Sequence, residues 1–289
     1  VDYVALSFVR TAEDIEALKR IIRREKKDVP VIAKIEKHEA LTNIDAIMAV
    51  ADAIMVARGD LGVEIPPEHV PNIQKMLVKK ANEVGKPVII ATQMLRSMVT
   101  APRPTRAEAA DVANAVFEGA DAVMLSEETA TGQFPSQAVS FMARIAKSAE
   151  ETFDHERYLK MIPKKEISAS VAHAACVLAD HLDASAIIAT TRSGATARNI
   201  SRFRPRPRLI ALSTEEEAVR RLALYWGCTP RLVAKAVDTD AMMETATQAA
   251  MATGLVSRGD LVVITSGQPG YVEGTTNDLK VNRLGYDVL

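Results

Sequence analysis

The chain has 289 residues, 48% of them apolar and 25% charged, with a formal net charge of −1. That length accommodates two domains of ordinary size, and the near-neutral balance gives no electrostatic reason to expect nucleic acid or an anionic membrane as partner. No apolar run approaches the roughly 20 residues that span a bilayer, no secretory signal pattern opens the chain, and Cys176 and Cys228 sit among apolar neighbours, as reduced core thiols of a cytoplasmic protein do.

The first residue is Val, and VDYVALSFV already reads as a buried strand, so the sequence is expected to be a piece of a longer protein. Thr11 then opens a helix, with Asp14 placed to bond back to the cap. Ile15, Leu18, Ile21 and Ile22 give that helix one apolar face. Pro30 precedes a second strand, VPVIAKIE. Residues 43–50 form a short helix, and DAIMVARGD is a third strand. LGVEIPPEHV reads as a loop with a short turn, because two prolines interrupt it. Ile73, Met76, Leu77, Ala81 and Val84 line the next helix, with Gly85 as C-cap, and PVIIATQM is a fourth strand. Strand and helix alternate four times, the pattern of parallel strands with right-handed crossovers. Thr105 and Glu108 form a capping box ahead of a helix ended by Gly119. ADAVMLS is a short apolar run, and Pro135 opens a helix with Val139, Met142, Ile145 and Ala149 inward. The stretch 150–166 is charged and aperiodic, which places a boundary near Asp154: residues 1–153 and 154–289.

The second half repeats an α/β rhythm. Val171, Ala174, Ala175, Leu178 and Leu182 line a helix; SAIIATT and RLIALS are strands around the helix of SGATARNISRF. Thr214 and Glu217 cap a helix running to Trp226, where Gly227 stops it. CTPRLVA is a strand, residues 240–254 a helix, and DLVVITSG and DLKVNRL are strands. The sum is an open, mostly parallel sheet of about five strands.

Two strands carry the chemistry. Lys34 and Glu36, two residues apart, point the same way from one strand. Gly59, at the end of the next, lets backbone approach a ligand closely, and Asp60 follows. Two carboxylates and an ammonium at neighbouring strand ends suit a hard divalent cation and an anionic substrate. A structural ion pair would leave the same signature. The strings KIEKHEALTNIDAI, MVARGDLGVEIP, PVIIATQMLRSM and PRPTRAEAADVANAVFEGADAVMLSEETA, in this order, resemble pyruvate kinase over essentially the whole chain. The resemblance implies the second half of a (β/α)₈ catalytic barrel followed by a regulatory α/β domain, with active groups at the carboxyl ends of the barrel strands. It implies phosphoryl transfer from phosphoenolpyruvate to ADP, giving pyruvate and ATP in glycolysis. Lys34 then stabilises charge on the transferring group, Glu36 and Asp60 hold Mg²⁺ or Mn²⁺, and Ala57, Arg58, Gly59, Asp60 and Thr92 face the substrate. The N–H groups of the turn at 57–60 are placed to cradle its carboxylate, with Arg58 either a substrate contact or a structural guanidinium. Thr92 helps position the proton delivered to the enolate carbon, or bonds to local backbone as threonine often does. Ser7 and Arg10 resemble a family string near the same cleft. Glu127, Lys37 and Ala40 depart from common family patterns. The lid, the nucleotide contacts and any K⁺ site of the family fall outside this stretch.

In the second domain, TTRSGAT joins a strand to a helix. Thr191, Arg192, Ser193, Gly194 and Thr196 combine hydroxyls, a cation and helix-start N–H groups in a phosphate-sized cradle, although an ordinary βα turn has the same composition. The matching loop in relatives belongs to an allosteric phosphate site, and SGQPGYVEGTTN resembles the loop beside it. The helix of PTRAEAADVANAVFEG matches the family's interface helix, which implies a homotetramer. Two other functions fit the residues: a metal-dependent lyase or aldolase acting through a pyruvate enolate, and a non-catalytic sugar-phosphate sensor built on the second domain.

Overall fold

A computed structural model describes residues 1–236, 238–267 and 276–285. The chain divides into two compact units, Val1–Asp154 and His155–Leu289. Among the described residues no helix is long and apolar enough to cross a membrane.

The first unit is built on β1 (Val4–Leu6), β2 (Val31–Ile35), β3 (Ala53–Ala57), β4 (Val88–Ala91) and β5 (Ala122–Met124), hydrogen-bonded in sequence order and all parallel. The ADAVMLS run is thus a fifth strand, too short to show a period by itself. Between the strands lie α1 (Ala12–Arg24), α2 (His38–Thr42), α3 (Ile44–Val50), α4 (Arg58–Glu64) and α5 (Val70–Val84); α6 (Arg106–Glu118) follows β4, and α7 (Glu127–Ala130) and α8 (Pro135–Glu150) follow β5. The period of two sorts each strand. Val31, Ala33 and Ile35, Ile54 and Val56, and Val88 and Ile90 join the core under the helices. Ile32, Lys34, Met55 and Ile89 alternate with them and so take the opposite face.

Capping follows the residues expected. Asp14 accepts from the N–H of Thr11 at 2.9 Å. Glu108 accepts from Thr105 N at 2.8 Å while Thr105 Oγ1 accepts from Glu108 N at 3.2 Å. Gly85 and Gly119 end α5 and α6 in the left-handed conformation, where a side chain would be strained. Three expected inward residues are instead exposed: Ile21, Val84 and Val139. Ile21 stands about 100° around the helix from Ile22, and Val139 the same from Ala138. The buried stripes therefore run through Ile15, Leu18 and Ile22 in α1, and Ala138, Met142, Ile145 and Ala149 in α8. LGVEIPPEHV does not begin as a loop: α4 continues to Glu64, and the prolines act only afterwards, through a 3₁₀ turn at Pro67–His69.

Two aspartates tie the amino ends of neighbouring strands. Asp52 Oδ2 accepts from Val31 N at 2.8 Å and Asp52 N donates to Val31 O at 2.9 Å. Asp121 repeats this on Val88, at 3.0 and 2.9 Å. The two share the string Ala-Asp-Ala, at 51–53 and 120–122. Lys19 of α1 adds an ion pair to Asp52 at 2.9 Å.

The second unit holds α9 (His155–Leu159), α10 (Ile167–His181), β6 (Ala186–Thr190), α11 (Ala195–Ser201), β7 (Arg208–Ser213), α12 (Glu216–Leu222), β8 (Cys228–Leu232), α13 (Thr239–Ala252), β9 (Leu261–Gly267) and β10 (Thr276–Arg283). The sheet order is β10-β9-β6-β7-β8, with only β10 antiparallel to its neighbour. Both faces are covered. Ile187, Ala189, Leu209 and Ala211 pack with α10 and α11; Ala186, Ile188, Ile210 and Leu212 pack with α13. On α10 the buried residues are Ala169, Ala172, Ala175, Cys176 and Ala179, while the expected Ala174 and Leu182 are exposed, because a helix apolar nearly all round gives little contrast. α12 stops at Leu222 rather than Trp226, and its N-cap is Glu215. Ser213 Oγ, not Thr214, accepts from Glu215 N, at 3.1 Å.

Candidate active site

The carboxyl ends of β1 and β2 bring Ser7, Lys34 and Glu36 into contact, and those of β3 and β4 bring Gly59 to Thr92. From β2, Lys34 Nζ donates to Ser7 Oγ at 2.7 Å and pairs with Glu36 Oε1 at 2.5 Å. Ser7 follows β1, and so does Phe8, whose N–H donates to Glu36 Oε2 at 2.6 Å. Glu36 is only 1% exposed. Its Oε1 accepts no well-aligned hydrogen bond, so the Lys34 contact is a close ion pair without hydrogen-bond angles. A buried carboxylate oxygen held by charge alone has acceptor capacity left for a cation. Arg10 is exposed and lies 3.7 Å from Glu39, outside this cluster.

The second carboxylate comes from β3. Ala57 is buried and α4 starts at Arg58. Asp60, in the first turn, is exposed, and its carboxylate makes no hydrogen bond or ion pair to a described residue. No group of three or more His, Cys, Asp or Glu suited to a metal occurs among the described residues. A site of two carboxylates completed by substrate oxygens and water needs fewer, and that is how Mg²⁺ is usually held.

Thr92 follows β4 with φ +71°, and Gln93 comes next at +55°. A β-branched residue in the left-handed region is strained. Thr92 Oγ1 donates to Ala91 O at 2.6 Å and accepts from Gly59 N at 2.7 Å. The local-backbone bond and the approach to the β3 end are therefore both present. One lone pair of the hydroxyl is left to hold a proton donor. A Cβ on Gly59 would stand 3.4 Å from that hydroxyl oxygen.

Arg58 points away from solvent, its side chain 11% exposed. The guanidinium donates to Asp111 Oδ1 at 2.6 Å and Thr92 O at 2.7 Å, and more weakly to Ala91 O and Gln74 Oε1, both at 3.4 Å. These contacts are those of a structural guanidinium. Two residues here escaped the sequence reading. Asp111 looks like one polar position of an alanine-rich helix. Glu128 follows a run in which Glu127 drew attention, yet Glu128 is the buried one, at 1% exposure.

In the second unit, a cleft is lined by Thr190, Thr191, Arg192, Thr196, Met242 and Thr276 among others. Gly194, at φ +85°, is the N-cap of α11, and its N–H donates to Thr191 Oγ1 at 3.0 Å. Ser193 O accepts from Arg198 at 3.1 Å. The Thr196 hydroxyl is buried against that of Thr276 at 2.7 Å, and Arg192 lies 3.5 Å from Glu215, both half exposed. Of the glycine-rich segment expected beside this cleft, residues 268–275 lie outside the described residues.

Residues 1–139 match the family described as pyruvate kinase, barrel domain, and residues 169–282 the pyruvate kinase, alpha/beta domain. A pyruvate kinase of Clostridium acetobutylicum is 48% identical over 285 residues, 97% of this chain and 60% of that protein. One of Staphylococcus epidermidis is 47% identical over 295 residues, and one of Staphylococcus aureus 46%, each alignment covering 100% of this chain and 50% of the relative. The chain therefore spans about half the length of the curated relatives it matches. With both domain families matched in order and nearly half of all residues identical, the chain belongs to the pyruvate kinase family.

Proposed function

We propose that this chain is the carboxyl-terminal part of an enzyme that transfers the phosphoryl group of phosphoenolpyruvate to ADP, with Val1–Asp154 as about half of a (β/α)₈ catalytic barrel and the second unit as its regulatory domain. The observation that carries the reading is the placement of Lys34, between the Ser7 hydroxyl and the buried Glu36 carboxylate, on the sheet face opposite the helices. Phosphoryl transfer asks mainly for positioning and for fixed positive charge where negative charge spreads. Lys34 supplies that charge, and its two partners fix where the ammonium sits. Glu36 and Asp60 hold Mg²⁺ or Mn²⁺, which supplies Lewis-acid charge to substrate oxygens when bound. Loss of the phosphoryl group leaves an enolate, and pyruvate forms when its terminal carbon takes a proton. Thr92, with one lone pair left over, holds the proton donor at that carbon. Gly59 and Ala57 shape the floor beside it, and Arg58 fixes the Thr92 carbonyl.

The test is a coupled assay on the full-length protein that contains this chain. Pyruvate should appear only with ADP present, which distinguishes a kinase from a lyase, and Lys34→Met should lower kcat by about 10²–10³-fold. An ADP-independent release of pyruvate, or an unaffected Lys34→Met enzyme, refutes the assignment.

The cleft at Thr191–Thr196 takes the phosphate of an allosteric effector. Arg192 reaches it by leaving Glu215, an exposed pairing of small worth, while hydroxyls and helix-start N–H groups add hydrogen bonds. Calorimetry on the full-length protein with phosphorylated sugars and nucleotides, wild type against Arg192→Ala, decides this. The full-length protein assembles as a homotetramer through α6, on which Ala107, Ala110 and Phe117 are exposed; sedimentation showing only monomer overturns that.

A further inference from the structure

We propose that Glu128 is a positioning residue for the proton-transfer step, acting through the strained turn that carries Thr92; the proposal rests on the kinase reading above. The Glu128 carboxylate is 1% exposed, and among the described residues no lysine, arginine or histidine pairs with it. Its oxygens are taken up by backbone N–H groups on two different strand ends: Oε1 accepts from Leu95 N at 3.0 Å, and Oε2 from Ser126 N at 2.8 Å. Ser126 lies just beyond β5, and Leu95 lies three residues after Thr92. A buried carboxylate with only backbone donors is costly to hold, and surface geometry does not require one here.

What it holds is the turn. Thr92 and Gln93 both have positive φ, a state that persists only when its surroundings over-determine it. The clamp has two sides. Arg58 donates to the Thr92 carbonyl at 2.7 Å, and Glu128 takes the Leu95 N–H. Met94 and Leu95, fully buried, fill the space between. Release of the Leu95 side lets Thr92 relax toward ordinary φ, which swings its hydroxyl away from Gly59 N. Lys34 and Glu36 take their hydrogen bonds and their ion pair from Ser7, Phe8 and each other rather than from this turn. Loss of Glu128 should therefore fall on proton delivery to the enolate carbon and spare binding.

Glu128→Gln retains the shape of the side chain but turns an NH₂ toward one of the two N–H donors. The experiment measures kcat, KM for phosphoenolpyruvate and the solvent deuterium isotope effect on kcat, in the full-length enzyme, for wild type and Glu128→Gln. For Glu128→Gln we expect kcat at least about tenfold lower, KM within about twofold, and a larger isotope effect, as proton transfer becomes rate-limiting. An enzyme merely less well folded loses kcat with an unchanged isotope effect, and that result overturns the proposal; so does an unchanged kcat. A wild-type enzyme that forms no pyruvate from phosphoenolpyruvate and ADP overturns the functional reading itself, separately from the role of Glu128.

Discussion

Replacing Arg58 with methionine removes a guanidinium while keeping a stem of similar length among the same neighbours. The two short bonds lost, to Asp111 Oδ1 at 2.6 Å and Thr92 O at 2.7 Å, are charge-assisted, and such bonds contribute about 1.5–3 kcal/mol each. Asp111 is 35% exposed, so water solvates it once the partner is gone, and burial of the methionine offsets part of the rest. The net loss should be about 2–4 kcal/mol. Asp111→Leu should cost somewhat less, because the carbonyls of Thr92 and Ala91 still face the guanidinium. In the double variant the two losses should fall short of their sum by about 1–3 kcal/mol, the coupling of a direct pair. Urea unfolding of the 289-residue chain, followed by two probes, measures this. The single tryptophan, Trp226, lies in the second unit, so its fluorescence follows that unit, while far-ultraviolet circular dichroism follows both. The Arg58→Met transition should move in the dichroism. A loss under about 1 kcal/mol, the range of an exposed ion pair, or strict additivity of the two substitutions, refutes the argument that this guanidinium joins α4, β4 and α6.

Gly194→Ala should destabilise the second unit by about 1–3 kcal/mol, because φ is +85° and the new Cβ would stand 3.1 Å from Leu222 Cδ2; here the Trp226 fluorescence transition should move. Burial raises the Cys176 thiol well above its ordinary range and leaves it 0% exposed, so it should not react with a disulfide reagent near neutral pH until the chain is unfolded, and native-state labelling of Cys176 contradicts the packing; Cys228, pushed up to about 12 but only partly buried, should label slowly. Burial also holds the Glu118 carboxyl above the usual range, against the opposing Gln74 amide. A raised pKa contributes stability that is present below the unfolded value and lost as pH rises through the folded one. Glu118→Gln should therefore raise the stability of the first unit near neutral pH and change it little in mild acid; the reverse order in thermal scans would contradict this.

Strand content was legible wherever residues alternate or form a bounded apolar run, and the capping boxes at Thr11 and Thr105 were legible because both partners are local in sequence. Helix phase was less so: Ile21 and Val139 differ from buried neighbours only by rotation, which packing against a sheet decides. The short β5 and the helix at Arg58–Glu64 were hidden by length and by prolines that lie just past the helix end. The same division holds at the site. Lys34 and Glu36 announce a shared direction by their spacing, and Asp60 by its place after a strand. Arg58, Asp111 and Glu128 do not, because Arg58 and Asp111 pair across 53 residues and Glu128 takes one of its two backbone donors from 33 residues away. Nothing local distinguishes a buried carboxylate bonded to distant backbone from a solvated one.

The paired Ala-Asp-Ala strings have a consequence for how this scaffold can change. Each aspartate forms a two-point closure with the first residue of the preceding strand, so the offset between β2 and β3, and between β4 and β5, is set at the edge remote from Lys34 and Thr92. A slip of one residue would send every side chain of a strand to the wrong face, and these closures oppose it without help from the loops on the other side. Insertions or substitutions in those loops can thus alter ligand preference while alignment is kept. Conversely, Asp52→Ala or Asp121→Ala would be expected to blur the fold while touching no reacting group.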